Sequence, residues 1–121
     1  MDAESPGMLL RIFIGDSDRF EGRPLYEALL VKAREMGLAG GTVIRGVAGF
    51  GAHSRIHTAK VLRLSEDLPV VVEMADTEEK IQAFLPVVHR MVREGLVTLE
   101  RVHVVLYRSR QAGGQAGAPG A

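Results

Sequence analysis

The chain has 121 residues, which is enough for one domain, and its 46% hydrophobic and 25% charged residues are typical of a globular protein. Fifteen lysines and arginines balance 15 aspartates and glutamates, which argues against a general nucleic-acid binder, because such proteins present a net basic surface. The lack of cysteine excludes disulfides, cysteine-ligated metal sites and thiol catalysis. No apolar run approaches the roughly 20 residues of a membrane span. We therefore expect a soluble, cytoplasmic protein without a transmembrane segment.

The chain ends read as disordered, because residues 1–7 are small or polar and residues 111–121 are almost entirely Gly, Ala, Gln and Pro. The folded domain is predicted over residues 8–110. Its elements in chain order are a strand at 8–14, a helix at 24–36, a strand at 42–47, a long loop with a small hairpin at 48–68, a strand at 69–75, a helix from the Asp76 cap to Gly95, and a strand at 98–107.

This order predicts an α+β fold of the ferredoxin-like βαββαβ type, in which two helices cover one face of an antiparallel four-stranded sheet. Six apolar side chains are expected to face the helices: Ile12, Ile14, Val70, Val72, Val102 and Val104. The other face then carries Leu9, Phe13, Val71, Val105 and Tyr107. Because a solvated sheet face should be polar, we expect the domain to oligomerise through this face.

The glycine-rich stretch after the second predicted strand is a candidate anion site. Glycines with positive φ would point the N–H groups around Gly49, Phe50 and Gly51 into a concavity. Arg108 and Arg110, two residues apart at the end of the last strand, would project to one side and could converge on a phosphate. The alternative interpretation is an ordinary glycine-rich turn and a basic strand end. Arg45 and Arg55 are competing sources of charge.

The histidines give a weaker signal. His53 and His57 are four residues apart, a spacing that suits a metal on a helix, but they fall in the predicted loop without an evident third ligand. No nucleophile and base can be paired from the sequence, so we predict no catalytic residues.

Several motifs together resemble the uncharacterised PII-like family, which is related to the PII signal-transduction proteins. They are the segments 40–46, Gly49-Phe50-Gly51, Ile56-His57-Thr58, 67–71 and 95–98, and they span about residues 8–108. The resemblance implies a homotrimer with its sheets facing the centre and no required cofactor. It implies an adenine nucleotide as the possible ligand, held between subunits by Thr42, Gly49, Phe50, Gly51, Arg108 and Arg110. The loop at 52–68, with His53, Arg55, His57 and Thr58, would contact a regulated protein partner.

The sequence also departs from the PII pattern. The segment 94–100 contains one glycine and no lysine where PII proteins have a phosphate-holding segment rich in Gly, Asp and Lys, and no tyrosine lies between Phe50 and Pro69. Two other functions stay open at this point. The first is a trimeric metal-binding or ion-tolerance protein of the same fold, using His53 and His57. The second is a small hydrolase or transferase, for which the sequence offers no set of residues.

Overall fold

The computed structural model describes residues 5–51, 57–58 and 67–109, of which His57–Thr58 is described by its backbone. The elements in chain order are β1 (Ser5–Gly15), β2 (Arg19–Phe20), β3 (Arg23–Pro24), α1 (Leu25–Glu35), β4 (Thr42–Arg45), β5 (Ala48–Gly49), β6 (His57–Thr58), β7 (Pro69–Asp76), α2 (Glu78–Met91) and β8 (Leu96–Val104).

Four of the strands form one antiparallel sheet in the order β4-β7-β1-β8, and both helices pack on the same face of it. The core lies between these two layers and is built from alternate residues of β1 and β7 and from the apolar sides of the helices. Its fully covered members include Leu10, Ile12, Leu29, Val70, Val72, Ile81 and Phe84. The predicted ferredoxin-like α+β fold is therefore confirmed.

Strand register corrects one prediction about the sheet faces. Residues paired directly across antiparallel strands share a face, and Val102 pairs with Gly7 while Val104 pairs with Ser5. Both valines therefore lie on the face opposite the helices, which we call the open face, and not on the core face where the sequence had placed them. The open-face positions predicted for Leu9, Phe13 and Val71 are confirmed by the same pairing.

Several element boundaries also differ from the sequence prediction, and the start of β1 and the end of β8 matter most. β1 begins at Ser5, because residues 5–7 pair with the end of β8, so the predicted disordered N-terminus is wrong for these three residues. Residues 1–4 and 110–121 lie outside the described residues. β8 ends at Val104, so Val105 and Tyr107 belong to the segment after it and do not alternate as strand residues.

The start of α2 is capped by Thr77 rather than by the predicted Asp76. The Thr77 hydroxyl accepts a hydrogen bond from the Lys80 amide at 3.2 Å, which satisfies one free N–H group of the first turn. Asp76 is instead buried at the end of β7, just before α2 begins. In the ranges that the structure describes, no helix combines the length and apolar character needed to cross a bilayer.

Candidate functional site

A cleft of about 340 Å³ opens on the open face, at the edge where β4 begins and β7 ends. It is bounded by the connection between α1 and β4, by the ends of the central strands, and by the segment that follows β8. The described residues that line it are Leu9, Ala39, Gly40, Gly41, Thr42, Glu73, Met74, Ala75, Val104, Leu106 and Tyr107. The volume falls at the lower end of the range of about 300–1,000 Å³ that is usual for small-molecule pockets.

Of the residues predicted to bind the ligand, Thr42 lines this cleft. It pairs with Glu73 of β7, whose side chain faces the same side of the sheet, and its own side chain is exposed. Gly41 precedes it because a Cβ atom there would stand 2.8 Å from Leu30 Cδ2 on α1. The glycine thus lets the chain pass close to the helix just before β4 begins at Thr42, which lines the cleft.

The segment after β8 forms the opposite wall of the cleft. Tyr107 donates a hydrogen bond from its hydroxyl to the Ala39 carbonyl oxygen at 3.4 Å, so it reaches from the end of β8 to the α1–β4 connection. Arg108 follows it and is exposed. Because β8 ends four residues before Arg108, strand alternation does not govern its direction, contrary to the sequence argument. Arg110 lies outside the described residues.

The glycine segment lies at the other end of the sheet and does not form the expected nest. Gly46, Gly49 and Gly51 all lack the positive φ that a nest of successive N–H groups requires. Gly46 and Gly49 instead pack on one proline ring, since a Cβ atom at either would stand 2.9 Å from Pro69 Cγ. Gly51 has no heavy atom of the described residues within 4 Å of that position.

The two predicted parts of the ligand site, the glycine segment around Gly49 and the strand end at Arg108, do not meet within one chain. Gly49 lies against Pro69 at the start of β7, whereas Tyr107, next to Arg108, reaches Ala39 beside Asp76 at the end of β7. The seven residue steps from Pro69 to Asp76 correspond to roughly 23 Å at about 3.3 Å per residue. A ligand that touched both halves would need them from two different copies of the chain.

Arg45, one of the competing cations, is already engaged elsewhere. Its guanidinium donates to Asp16 at 2.6 Å and lies 6.0 Å from the centre of the Tyr26 ring. The hydrogen bond to Asp16 raises the pKa of Arg45 above its ordinary value. This pairing links the end of β4 to the turn after β1, and a ligand that used Arg45 would have to compete with Asp16 for its guanidinium. Arg55 lies outside the described residues.

The remaining loop predictions concern a region with little described structure. His57 and Thr58 form β6, which pairs with Ala48 and Gly49 of β5, so the predicted small hairpin is present. His53 lies outside the described residues, and the proposed pairing of two histidines on a metal stays a prediction. Among the side chains that the structure describes, no group of three or more His, Cys, Asp or Glu is arranged to hold a metal ion.

The open face carries an apolar row that crosses the whole sheet. Ile44, Val71, Phe13 and Leu96 are paired side by side, one from each strand. Ile44 and Leu96, at the two edges, are 48% and 58% exposed. In the part of the chain that the structure describes, both helices cover the opposite face, so the two ends of this row are exposed to water. Such an uncovered apolar row indicates an interface.

An ion network lies beside this apolar row. Arg11 donates from Nε to Glu73 at 2.9 Å and from Nη1 to Glu100 at 2.8 Å, which raises the pKa of Arg11 above its ordinary value. Its side chain is 36% exposed, so water screens the pairs and each contributes little to stability in a single chain. The network gives the open face a fixed pattern of charge at its centre.

Sequence reasoning missed most of the cleft. Ala39 and Tyr107 come from positions 68 residues apart, and their contact has no local signal in the sequence. The paired glycines at 40 and 41, between a helix end and a strand, were the available indication of a close backbone approach. Glu73 carries no local signal in its otherwise apolar strand, although its place on the open face puts it in the cleft wall.

Comparison with known proteins identifies the family. Residues 7–104 match the profile of DUF190, which is described as an uncharacterized ACR. A UPF0166 protein of Aquifex aeolicus (strain VF5) is 47% identical over 97 residues, which cover 80% of this chain and 91% of that protein. A UPF0166 protein of Methanocaldococcus jannaschii is 32% identical over 97 residues, which cover 79% of this chain and 89% of that protein.

Solved structures of CPII from Thiomonas intermedia K12, a nitrogen regulatory PII-like protein, share the fold. One, bound to ADP, AMP and bicarbonate, has a TM-score of 0.55 at 19% identity and covers 86% of this chain and 92% of that chain. Another, bound to ADP and bicarbonate, has a TM-score of 0.53 at 20% identity and covers 86% and 93%. At such identities the likeness shows the fold alone. The chain therefore belongs to the DUF190 family, matches UPF0166 proteins over most of their length, and has a PII-like fold.

Proposed function

We propose that this protein is a non-catalytic, PII-like regulatory protein that binds an anionic ligand, with an adenine nucleotide as the first candidate. In this proposal three copies assemble through the open face, and the loop at 52–68 contacts a regulated protein. The observation that carries the proposal is the cleft, which opens on an apolar sheet face and is lined by Thr42 and by the segment leading to Arg108. The CPII structures that share the fold hold ADP.

The chemistry of the cleft supports a ligand with an uncharged part and a charged part. Its walls are mainly apolar side chains and glycine backbone, which suit a flat base and a sugar. Glu73 is the charged side chain among the described lining residues, and its sign is wrong for phosphate. The phosphates must therefore find their positive charge outside the cleft, for which exposed Arg108 and the sequence-adjacent Arg110 are the proposed source.

The distance between the Gly49 end and the Arg108 end of the sheet supports an assembly of several copies of the chain. A site that uses the Gly49 end of one copy and the Arg108 end of another requires a contact between different surfaces of neighbouring copies. Such contacts close into a ring when the rotation permits it. The apolar row of Ile44, Val71, Phe13 and Leu96 would be buried where neighbouring copies pack together. The resemblance to PII proteins gives three as the expected number of copies.

Calorimetry on the purified protein tests the ligand, with ADP, AMP, ATP, bicarbonate, Zn²⁺ and Cu²⁺ titrated separately. We expect saturable binding of an adenine nucleotide and a solution mass of three times the 13.1 kDa chain by light scattering. Binding of a metal ion without any nucleotide would favour the alternative metal-binding function. Failure of every nucleotide to bind, or a monomeric mass at micromolar concentration, would refute the corresponding part of the proposal.

A matched pair of substitutions tests the cleft itself. Thr42 and Thr98 lie in the same cross-sheet row of the open face, at opposite edges, and Thr42 alone of the two lines the cleft. Thr42→Val removes a hydroxyl at nearly constant volume and should weaken ADP binding about fivefold, the value of one hydrogen bond of about 1 kcal/mol. Thr98→Val should leave ADP affinity unchanged. Equal effects of the two changes would remove the cleft from the proposal.

A further inference from the structure

Asp76 is a buried carboxylate that the ligand site does not touch. It is 1% exposed and ends β7, one residue before the cap of α2. One of its oxygens accepts a hydrogen bond from the Thr77 amide and the other accepts one from the Ala39 amide, each at 2.7 Å. Burying a carboxylate is costly unless both oxygens find donors, so these two bonds account for its presence there.

Ala39 belongs to the connection between α1 and β4, and other side chains hold this connection as well. Lys80, in the first turn of α2, donates from Nζ to the Gly37 carbonyl oxygen at 2.8 Å. Tyr107 donates to the Ala39 carbonyl oxygen at 3.4 Å. Residue 39 is thus bonded on both sides, with its N–H to buried Asp76 and its C=O to a residue of the opposite cleft wall.

This arrangement links a buried group to the width of the cleft. The residues from Ala39 to Thr42 form one wall, and Tyr107 stands in the other. If the Ala39 amide lost its acceptor, the wall would be held by Lys80, by the weaker Tyr107 contact and by the pairing of β4. The Thr42 hydroxyl and the Tyr107 ring would then no longer keep a fixed spacing.

We propose that Asp76 is a positioning residue of the cleft, which fixes the Ala39–Thr42 wall through the Ala39 amide and so sets ligand affinity without contacting the ligand. The choice of ADP as the ligand rests on the proposed function, whereas the role of Asp76 in holding the wall does not. A carboxylate suits this role because both of its oxygens accept, one from each amide. An asparagine has one accepting oxygen and would turn an NH₂ group toward one of the two amides.

The test compares Asp76→Asn with Glu79→Gln. Both remove one negative charge at the start of α2, but Glu79 is exposed and lies outside the cleft lining. The first measurement is amide hydrogen exchange in the ligand-free protein. We expect the Ala39 amide to exchange at least about tenfold faster in Asp76→Asn, with the core amides of Leu10 and Val72 unchanged. The second is ADP titration, where we expect about tenfold weaker binding in Asp76→Asn and no change in Glu79→Gln.

The outcomes separate the possible roles. Unchanged Ala39 exchange in both Asp76→Asn and Asp76→Ser overturns the proposal, and so does equal acceleration of Ala39, Leu10 and Val72, because that result assigns Asp76 to the whole fold. If wild-type protein binds no ADP, the proposed function fails, yet the exchange measurement still decides the role of Asp76. Asp76→Ser, whose side chain is too short to reach Ala39, is measured in the same way because it removes the acceptor in every orientation, and failure of both variants to fold counts against a positioning role.

Discussion

Alanine substitutions in the glycine segment separate packing from ligand binding. In Gly49→Ala the new methyl group would stand 2.9 Å from Pro69 Cγ and 3.5 Å from Pro69 Cβ, and a proline ring at the start of β7 has little room to move. Overpacking lowers the free energy of unfolding by about 1–3 kcal/mol. One contact just below 3.0 Å falls at the low end of this range, about 1 kcal/mol. For a domain of this size that corresponds to a loss of about 4 °C in Tm.

Gly51 provides the contrast because a methyl group there would meet no heavy atom within 4 Å in residues 5–51, 57–58 and 67–109. Gly51→Ala should therefore leave Tm unchanged within about 1 °C, while Gly46→Ala, which meets the same proline ring at 2.9 Å, should behave like Gly49→Ala. If the backbone near Gly51 approaches a ligand, its added methyl group should weaken ADP binding about tenfold without any loss of stability.

Thermal unfolding followed by circular dichroism, together with ADP calorimetry on each variant, makes the distinction. Equal Tm values for Gly49→Ala and Gly51→Ala would refute the packing explanation based on Pro69. Unchanged ADP affinity in Gly51→Ala would mean that the glycines serve the fold alone. The anion site would then be reduced to the cleft and the arginines that follow β8.

Three further substitutions test other parts of the molecule. Gly95→Ala would place a methyl group 2.5 Å from the Phe13 carbonyl oxygen, so thermal unfolding should show a loss of about 2 kcal/mol in stability. Gly40→Ala, where the described part of the chain offers no neighbour within 4 Å, should show no such loss. Phe13→Arg puts a charge in the apolar row and should give a monomeric mass by light scattering, whereas an unchanged mass would exclude this face from the assembly. Arg108→Ala should weaken ADP binding about tenfold by calorimetry, and Arg90→Ala, an exposed change on α2, should not; equal affinities would remove Arg108 from the site.

Local patterns predicted the fold where one face of a strand is fully buried. β1 and β7 lie in the middle of the sheet, so their core-facing residues, such as Ile12 and Val72, alternate clearly with half-exposed ones. β8 is an edge strand, and most of its residues are exposed or half-buried on both faces. Apolar alternation therefore could not tell which face Val102 occupies, and only the register with β1 decides it.

The cap of α2 shows a second limit of local patterns. Asp76 and Thr77 are both good capping residues, and the sequence alone does not choose between them. The choice depends on the Ala39 amide, 37 residues away, which takes up one oxygen of Asp76 and so leaves the capping position to Thr77. The cleft has the same origin, because its walls come from four separate parts of the chain that meet only in the folded protein.

The placement of Gly49 and Arg108 at opposite ends of β7 has a genetic consequence under the proposed assembly. Each site in the ring would take the glycine end of one subunit and the arginine end of its neighbour. Consider two alleles, one defective at Phe50 and the other at Arg108, whose products mix in one ring. One junction of the mixed ring then joins an intact glycine end to an intact arginine end, so two inactive alleles complement each other. Alleles of a site contained within one chain do not complement in this way.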